Sequence, residues 1–406
     1  MSFISNLTAR HRTGKAWKSV FILSTTIGLI ALSALILTIL NSAYGYAAIE
    51  NKIDPAALSN EGVPLESQTK QQLISTFKSN VSDGLYRRFD SEISFNDRSE
   101  ADINALIQEW VVQPQIATRW PLFDSIFHND LVFQDWEENY SHTYLYFLNW
   151  LDLQFITSPQ SSDVVRAGVR TAILGSIWTI SIAILFAFPI GVGAAIYLEE
   201  YAEENTINRI IQTNINNLAG VPSIIYGMLG LTIFVRALEQ ITSGAMFGYG
   251  DPSTANGRTV LSAGLTLGIL ILPLLIINSQ EAIKAVPNSL RFASLGLGAT
   301  QWQTIWHHVL PGALPGILTG TILSISRAIG ETAPMVVVGA STFITVDPDN
   351  AFSKFTTLPI QIYQWTARPQ EEFRSLAAAA IIVLLFMLLS MNASAVILRN
   401  RFSRRK

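Results

Sequence analysis

The chain has 406 residues, 49% of them hydrophobic and only 14% charged, with a mean hydropathy of +0.33 and a formal net charge of −3. Soluble domains carry about 25% charged residues, so this composition excludes an ordinary soluble protein and points to membrane spans. The absence of cysteine excludes disulfides and thiolate metal sites, and the five histidines (His11, His128, His142, His307, His308) lack metal-ligand spacing.

The chain opens on a basic tail, 1–18, with Arg10, Arg12, Lys15 and Lys18. The first predicted transmembrane helix covers 19–45. Its apolar run of about 21 residues exceeds the 7–15 of a signal-peptide core, so it reads as a retained anchor, with a cleaved signal as the alternative. An acidic insert follows over 46–165, with 17 acidic against 7 basic residues from Tyr46 to Pro159. Trp110, Trp120, Trp136 and Trp150 with scattered apolar residues supply a small core of α+β or mixed character rather than disorder. Ser99 followed by Asp102 predicts a capped helix running to Val112. The aromatic stretch Tyr140 to Phe155 reads either as a membrane-interface segment or as a packed helix.

Five further spans lie within 166–398. They run about Val169 to Tyr197, Leu218 to Leu238, Val260 to Ile277, Pro311 to Thr342 and Leu376 to Leu398. Each is long enough for a hydrocarbon core of roughly 30 Å at 1.5 Å per residue. The tail 399–406 carries Arg399, Arg401, Arg404, Arg405 and Lys406. The fold class is an all-α polytopic membrane protein with six transmembrane helices and an extracytoplasmic insert between helices 1 and 2. Lysine and arginine at both ends, with Lys284 and Arg291 in the loop 281–310, place both termini and that loop in the cytoplasm. Glu199, Glu200, Glu203 and Glu204 fit that side poorly, but acids weigh little in this rule.

Three stretches stand out. In the loop 281–310, an amphipathic segment ends near Gly296 or Gly298, a second starts at Thr300, and Pro311 opens the next helix. Two short helices joined by a glycine make a stiff projection that a partner can grip; a plain re-entry turn is the simpler reading. The fifth span contains Ser326-Arg-Ala-Ile-Gly-Glu-Thr-Ala-Pro-Met335. Arg327 and Glu331 are charges inside an apolar stretch, so they face a bundle interior or an aqueous path. Their spacing puts them on one helical face. Arginine binds oxyanions through a planar fork, and Glu331 can hold it between substrates; an ion pair that joins helices is the alternative. Gly330 and Pro334 flank Glu331 and can break the helix. Gly312, Gly316, Gly320, Ser324 and Ala328 form a small-residue stripe for close helix packing, with a second membrane subunit as a natural neighbour. The third span begins with Asn214, Asn216 and Asn217, then Ala219-Gly-Val-Pro-Ser-Ile-Ile-Tyr-Gly227. Asn217 and Ser223 either face an anion path or make helix-to-helix hydrogen bonds.

The loop resembles the coupling motif of ABC-importer permeases: Glu-Ala-Ala, three residues, Gly, nine residues, Ile, one residue, Leu-Pro. Ala293, Ser294, Gly298, Leu310 and Pro311 match in register, with Phe292 where the family has Glu and His308 where it has Ile. The Ala219–Gly227 and Arg327–Pro334 stretches resemble permeases of the phosphate-specific importer, of the PstA kind rather than the PstC kind. That resemblance covers about 166–398. It implies a chain that imports inorganic phosphate without catalysing a reaction; the alternatives are a permease for another oxyanion (sulfate, molybdate or a phosphonate) and a membrane sensor or scaffold. The implied substrate path includes Arg327, Glu331, Thr332, Asn217 and Ser223, and Phe292, Ala293, Ser294, Gly298, Leu310 and Pro311 dock on the ATPase. The implied partners are a second permease of the PstC kind, two ATPase subunits that carry the ATP and magnesium, an extracytoplasmic phosphate-binding protein and the lipid bilayer, with no nucleic acid. No cofactor is expected on this chain. Consistently, the nearest string to a phosphate-binding loop, Gly14-Lys-Ala, lacks both the leading glycine and the closing hydroxyl.

Overall fold

The computed structural model describes residues 7–60, 63–92, 94–96, 98–249, 256–341 and 343–403. The start of the basic N-terminal tail, Thr342 at the expected end of the fifth span, and Arg404, Arg405 and Lys406 lie outside the described residues. Two compact units are present, Met1–Trp150 and Leu151–Lys406.

The first unit begins with α1 (Leu7–Ala43), a long helix exposed along its apolar run, as a lipid-facing helix must be. Strand β1 (Tyr44–Asn51) follows directly. It is the centre of an antiparallel sheet, flanked by β2 (Pro114–Pro121) and β3 (Tyr144–Asn149). Between β1 and β2, α2 (Lys70–Asn80), α3 (Asp83–Glu92) and α4 (Glu100–Ile107) enclose Leu73, Phe77, Phe95, Ile103 and Ile107. The Ser99–Asp102 capping box starts α4 as the sequence predicts. Helices α5 (Leu122–Phe127) and α6 (Asn129–Asn139) link β2 to β3. The stretch Tyr140 to Phe155 is therefore not one helix. Its Tyr, Phe and Leu residues suit a strand, and pairing with β1 from Tyr44↔Asn149 to Ile49↔Tyr144 satisfies the backbone.

In the second unit, the short α7 (Leu153–Thr157) precedes α8 (Arg170–Ile196), which continues through a widened turn to Tyr201. Next come α9 (Thr206–Leu218), α10 (Ser223–Gly230, prolonged to Ala237), α11 (Glu239–Thr242) and α12 (Val260–Lys284). The loop helices α13 (Asn288–Gly296) and α14 (Gln301–Thr304) lead through a wide turn into α15 (Leu310–Ile329). After a break come α16 (Ala333–Val338), α17 (Leu358–Ala367) and α18 (Glu372–Ser403). Among the described residues, five helices are long and apolar enough to cross a membrane, and a sixth span results if the bent pair α9–α10 counts as one.

Two expectations need correction, while the small-residue stripe makes the close helix packing expected of it. The third span begins at Ser223 and not at Leu218: α9 and α10 meet at 106°, because Pro222 disfavours helical backbone at Val221 and cannot donate a backbone hydrogen bond. The fifth span does not open at Pro311. One helix runs from Gln301 to Ile329 and absorbs Pro311 next to a wide turn at Ile305–Val309. The small-residue stripe packs within the chain, against α12. A Cβ on Gly316 would meet the Ala282 Cβ at 2.7 Å, and one on Gly320 would meet the Asn278 Cβ at 2.4 Å. Nearer the start of α12, Gly264 and Gly268 admit Ile182 and Phe186 of α8. The core at the centre of this unit gathers Ala183, Tyr226, Leu267, Ile271, Ala328 and Met335.

Candidate functional site

The 281–310 loop folds as two helices around a glycine hinge. Gly298 has φ +85, a left-handed conformation that costs a residue without Cβ little. Thr300 then caps α14 in a reciprocal box with Gln303. Ser294 is buried, and its hydroxyl shares a 2.9 Å hydrogen bond with that of Thr304, which clips α13 to α14. Ala293 and Pro311 are exposed and Leu310 is half-buried. The loop exposes apolar side chains: Phe292 is 71% exposed and Leu297 90%, and the exposed Trp302 and Trp306 stack 5.5 Å apart. Free-standing apolar patches of this kind mark contact surfaces.

The acidic residues that fitted the cytoplasmic side poorly anchor this loop. Arg291 Nη2 lies 2.8 Å from Glu200 Oε1, with the two side chains 15% and 9% exposed. The same guanidinium donates to Ile283 O at 2.9 Å and to Val286 O at 2.6 Å. It thereby adds a donor to carbonyls at the end of α12 and in the turn after it. Gln301 also donates its amide to Glu200 O. Glu199 accepts from Gln280 at 2.9 Å and pairs with Lys284 at 3.3 Å. Gln280 in turn exchanges hydrogen bonds with Gln212 of α9. One polar network therefore joins the end of α8 to α9, α12 and α13. Sequence reasoning missed this role. The available signal was an acidic pair ending one span and an arginine inside the loop.

Arg327 sits near the end of α15, half-exposed, with its Nε 3.6 Å from Glu331 Oε1. The pair does not share a helical face, because α15 stops at Ile329 and Glu331 and Thr332 lie in the break before α16. Gly330 N–H closes the helix on Arg327 O at 3.3 Å. Glu331 and Thr332 are half-buried. The two unusual apolar motifs meet here: a Cβ on Gly227 of α10 would approach Pro334 Cα of α16 to 2.7 Å. Tyr226, within electrostatic reach of Arg327, donates its hydroxyl to Leu218 O at 2.7 Å across the α9–α10 bend. Ser223 is the first residue of α10, half-buried behind Pro222. Asn217 lies exposed on the last turn of α9. The structure thus brings Arg327, Glu331, Tyr226 and the α10–α16 contact into one region, built from two interrupted helices. Among the described residues, no group of three or more His, Cys, Asp or Glu side chains is placed to hold a metal.

Residues 187–405 match the family described as the binding-protein-dependent transport system inner membrane component. The chain belongs to this family. It is a transmembrane permease subunit of an ABC importer, not an enzyme in its own right. A probable ABC transporter permease, YqgI of Bacillus subtilis (strain 168), is 29% identical over 257 residues, 60% of this chain and 82% of that protein. The phosphate transport system permease PstA of Pasteurella multocida (strain Pm70) is 32% identical over 240 residues, 59% of this chain and 79% of that protein. The PstC permease of the same organism is 31% identical over 239 residues, 56% of this chain and 71% of that protein.

Proposed function

We propose that this permease moves inorganic phosphate into the cell, as the PstA-like half of a permease pair. The observation that carries the reading is Arg327: a half-exposed guanidinium in an apolar span, next to a helix break, with Glu331 as its only charged partner within ion-pair distance among the described residues. A charge there costs several kcal/mol unless it faces protein or an aqueous path. A guanidinium matches two oxygens of an oxyanion. At 3.6 Å the pair is loose enough for an anion to compete for the arginine, and Glu331 then repels the anion onward. Similarity to permeases named for phosphate transport supports this substrate. Likeness to PstA and PstC is nearly equal, so the PstA assignment rests on the motifs.

In the mechanism, an extracytoplasmic binding protein delivers phosphate to the pair. Two ATPase subunits, which hold the ATP and magnesium, close and draw in the apolar faces of α13 and α14. The spans rock, and phosphate passes Arg327 unchanged. Both termini are cytoplasmic, as the basic tails require, and this chain needs no cofactor of its own.

The test is ATP-dependent uptake into proteoliposomes holding this chain with its ATPase, second permease and binding protein, comparing labelled phosphate with labelled sulfate. Phosphate uptake that Arg327→Ala abolishes, in a complex that still assembles, is expected. Sulfate uptake alone would keep the importer and overturn the substrate. Undiminished phosphate uptake by Arg327→Ala would remove that residue from the path.

A further inference from the structure

Helices α5 and α6 carry an apolar face that no described residue of their unit covers. Phe123, Ile126 and Phe127 follow i, i+3, i+4 spacing and so share one face of α5. Leu131 continues the patch on α6; all four are exposed, Phe127 to 74%. The Phe123 and Phe127 rings lie 6.3 Å apart. The adjoining face is polar, with Asp124 and His128 3.3 Å apart. The inward side is fixed by Ser125, whose hydroxyl donates to Pro121 O at 2.8 Å and accepts the Tyr46 N–H at 3.0 Å.

The height of α5 along α1 decides what covers this face. The Phe123 N–H donates to Asn41 Oδ1 at 2.7 Å, and the Arg119 guanidinium donates to Ser42 O at 3.1 Å. Asn41 directly follows the run Val20 to Leu40, which contains no charged or amide side chain. That run is about 31 Å long at 1.5 Å per residue, matching a hydrocarbon core of roughly 30 Å. Asn41 therefore marks the boundary between hydrocarbon and head groups, and α5 is hydrogen-bonded at that depth. A short amphipathic segment with aromatic residues on its apolar face is stable at this boundary. We infer that α5 and the start of α6 lie in the lipid interface of the leaflet at the Ala43 end of α1. Phe123, Ile126, Phe127 and Leu131 enter the acyl boundary, while Asp124 and His128 stay among the head groups. The insert is thereby moored to the bilayer at a second point besides α1.

The chain has no cysteine, so single labels can be placed directly. Nitroxides at Phe127→Cys and Leu131→Cys would be read in the assembled complex, in nanodiscs of phosphatidylethanolamine and phosphatidylglycerol. Ile30→Cys in α1 serves as the lipid reference and Ser79→Cys in α2 as the water reference. The expected result is oxygen access well above access of a water-soluble nickel chelate at both test sites, as at Ile30→Cys. Chelate access equal to that at Ser79→Cys would overturn the inference. So would exclusion of both reagents, the signature of a covering protein subunit.

Discussion

Glu200→Ala is predicted to release the 281–310 loop while the spans stay folded. The Arg291–Glu200 pair is almost dry, and removing one partner of such a pair costs about 3–5 kcal/mol, because the survivor remains charged and buried. Ile283 O, Val286 O and Asn288 Oδ1 would keep part of the guanidinium satisfied. The expected cost is therefore at the lower end, about 3 kcal/mol. At 1.4 kcal/mol per tenfold, this raises the undocked population about a hundredfold. The assay is substrate taken up per ATP hydrolysed by the reconstituted complex, with the thermal midpoint measured alongside. ATP hydrolysis should persist while uptake per ATP falls. Arg291→Lys should behave alike, since one ammonium cannot bridge a carboxylate and two carbonyls in the geometry of the fork. The double variant Glu200→Gln, Arg291→Met removes both charges and should recover the thermal midpoint without recovering uptake per ATP. Unchanged uptake per ATP in Glu200→Ala would refute the positioning role of the pair.

Burying a Leu or Phe side chain contributes about 1.5–3 kcal/mol. Leu297→Asp or Phe292→Asp should therefore weaken ATPase binding roughly 10- to 150-fold, measured by co-purification at graded ATPase concentration; full retention would show that this face does not dock. Gly227→Ala drives a Cβ toward Pro334 Cα, an overpacking worth about 1–3 kcal/mol. Uptake should drop and the thermal midpoint fall, and neither change would mean that α10 and α16 part freely. In the insert, the Ser99 hydroxyl, and then its backbone N–H, hold the Asp102 carboxyl below its ordinary 3.8. A carboxyl lowered by folding adds stability above its unfolded pKa and loses it as pH falls through the folded value. Ser99→Ala should return Asp102 toward 3.8, read by carboxyl NMR titration; an unmoved titration would dismiss the capping box as the cause.

The spans were legible because uninterrupted apolar runs such as Val20 to Leu40 state their length directly. Direction was not legible. Hydropathy treats Asn214 to Leu238 as one approach and one crossing, while Pro222 turns the chain through 106°. The sheet was hidden because β2 is bounded by Pro114 and Pro121 and its partner β1 lies some 70 residues earlier. At the site, spacing put Arg327 and Glu331 on one face, while Gly330 and Pro334 already signalled the break that separates them. Arg291 and Glu200 are 91 residues apart. Charge counting saw one as a marker of topology and the other as a misfit, and only the fold shows that each explains the other.

The unbroken helix from Gln301 to Ile329 has a mechanical consequence. Trp302 stands at one end and Arg327 at the other, separated by about 38 Å at 1.5 Å per residue. Close contact of Gly316 and Gly320 with α12 supplies a fulcrum between them. A tilt of about 5° about that fulcrum, about 14 Å from Arg327, would carry the guanidinium sideways by roughly 1 Å. A push at the Trp302 end therefore reaches Arg327 about halved and reversed in sense.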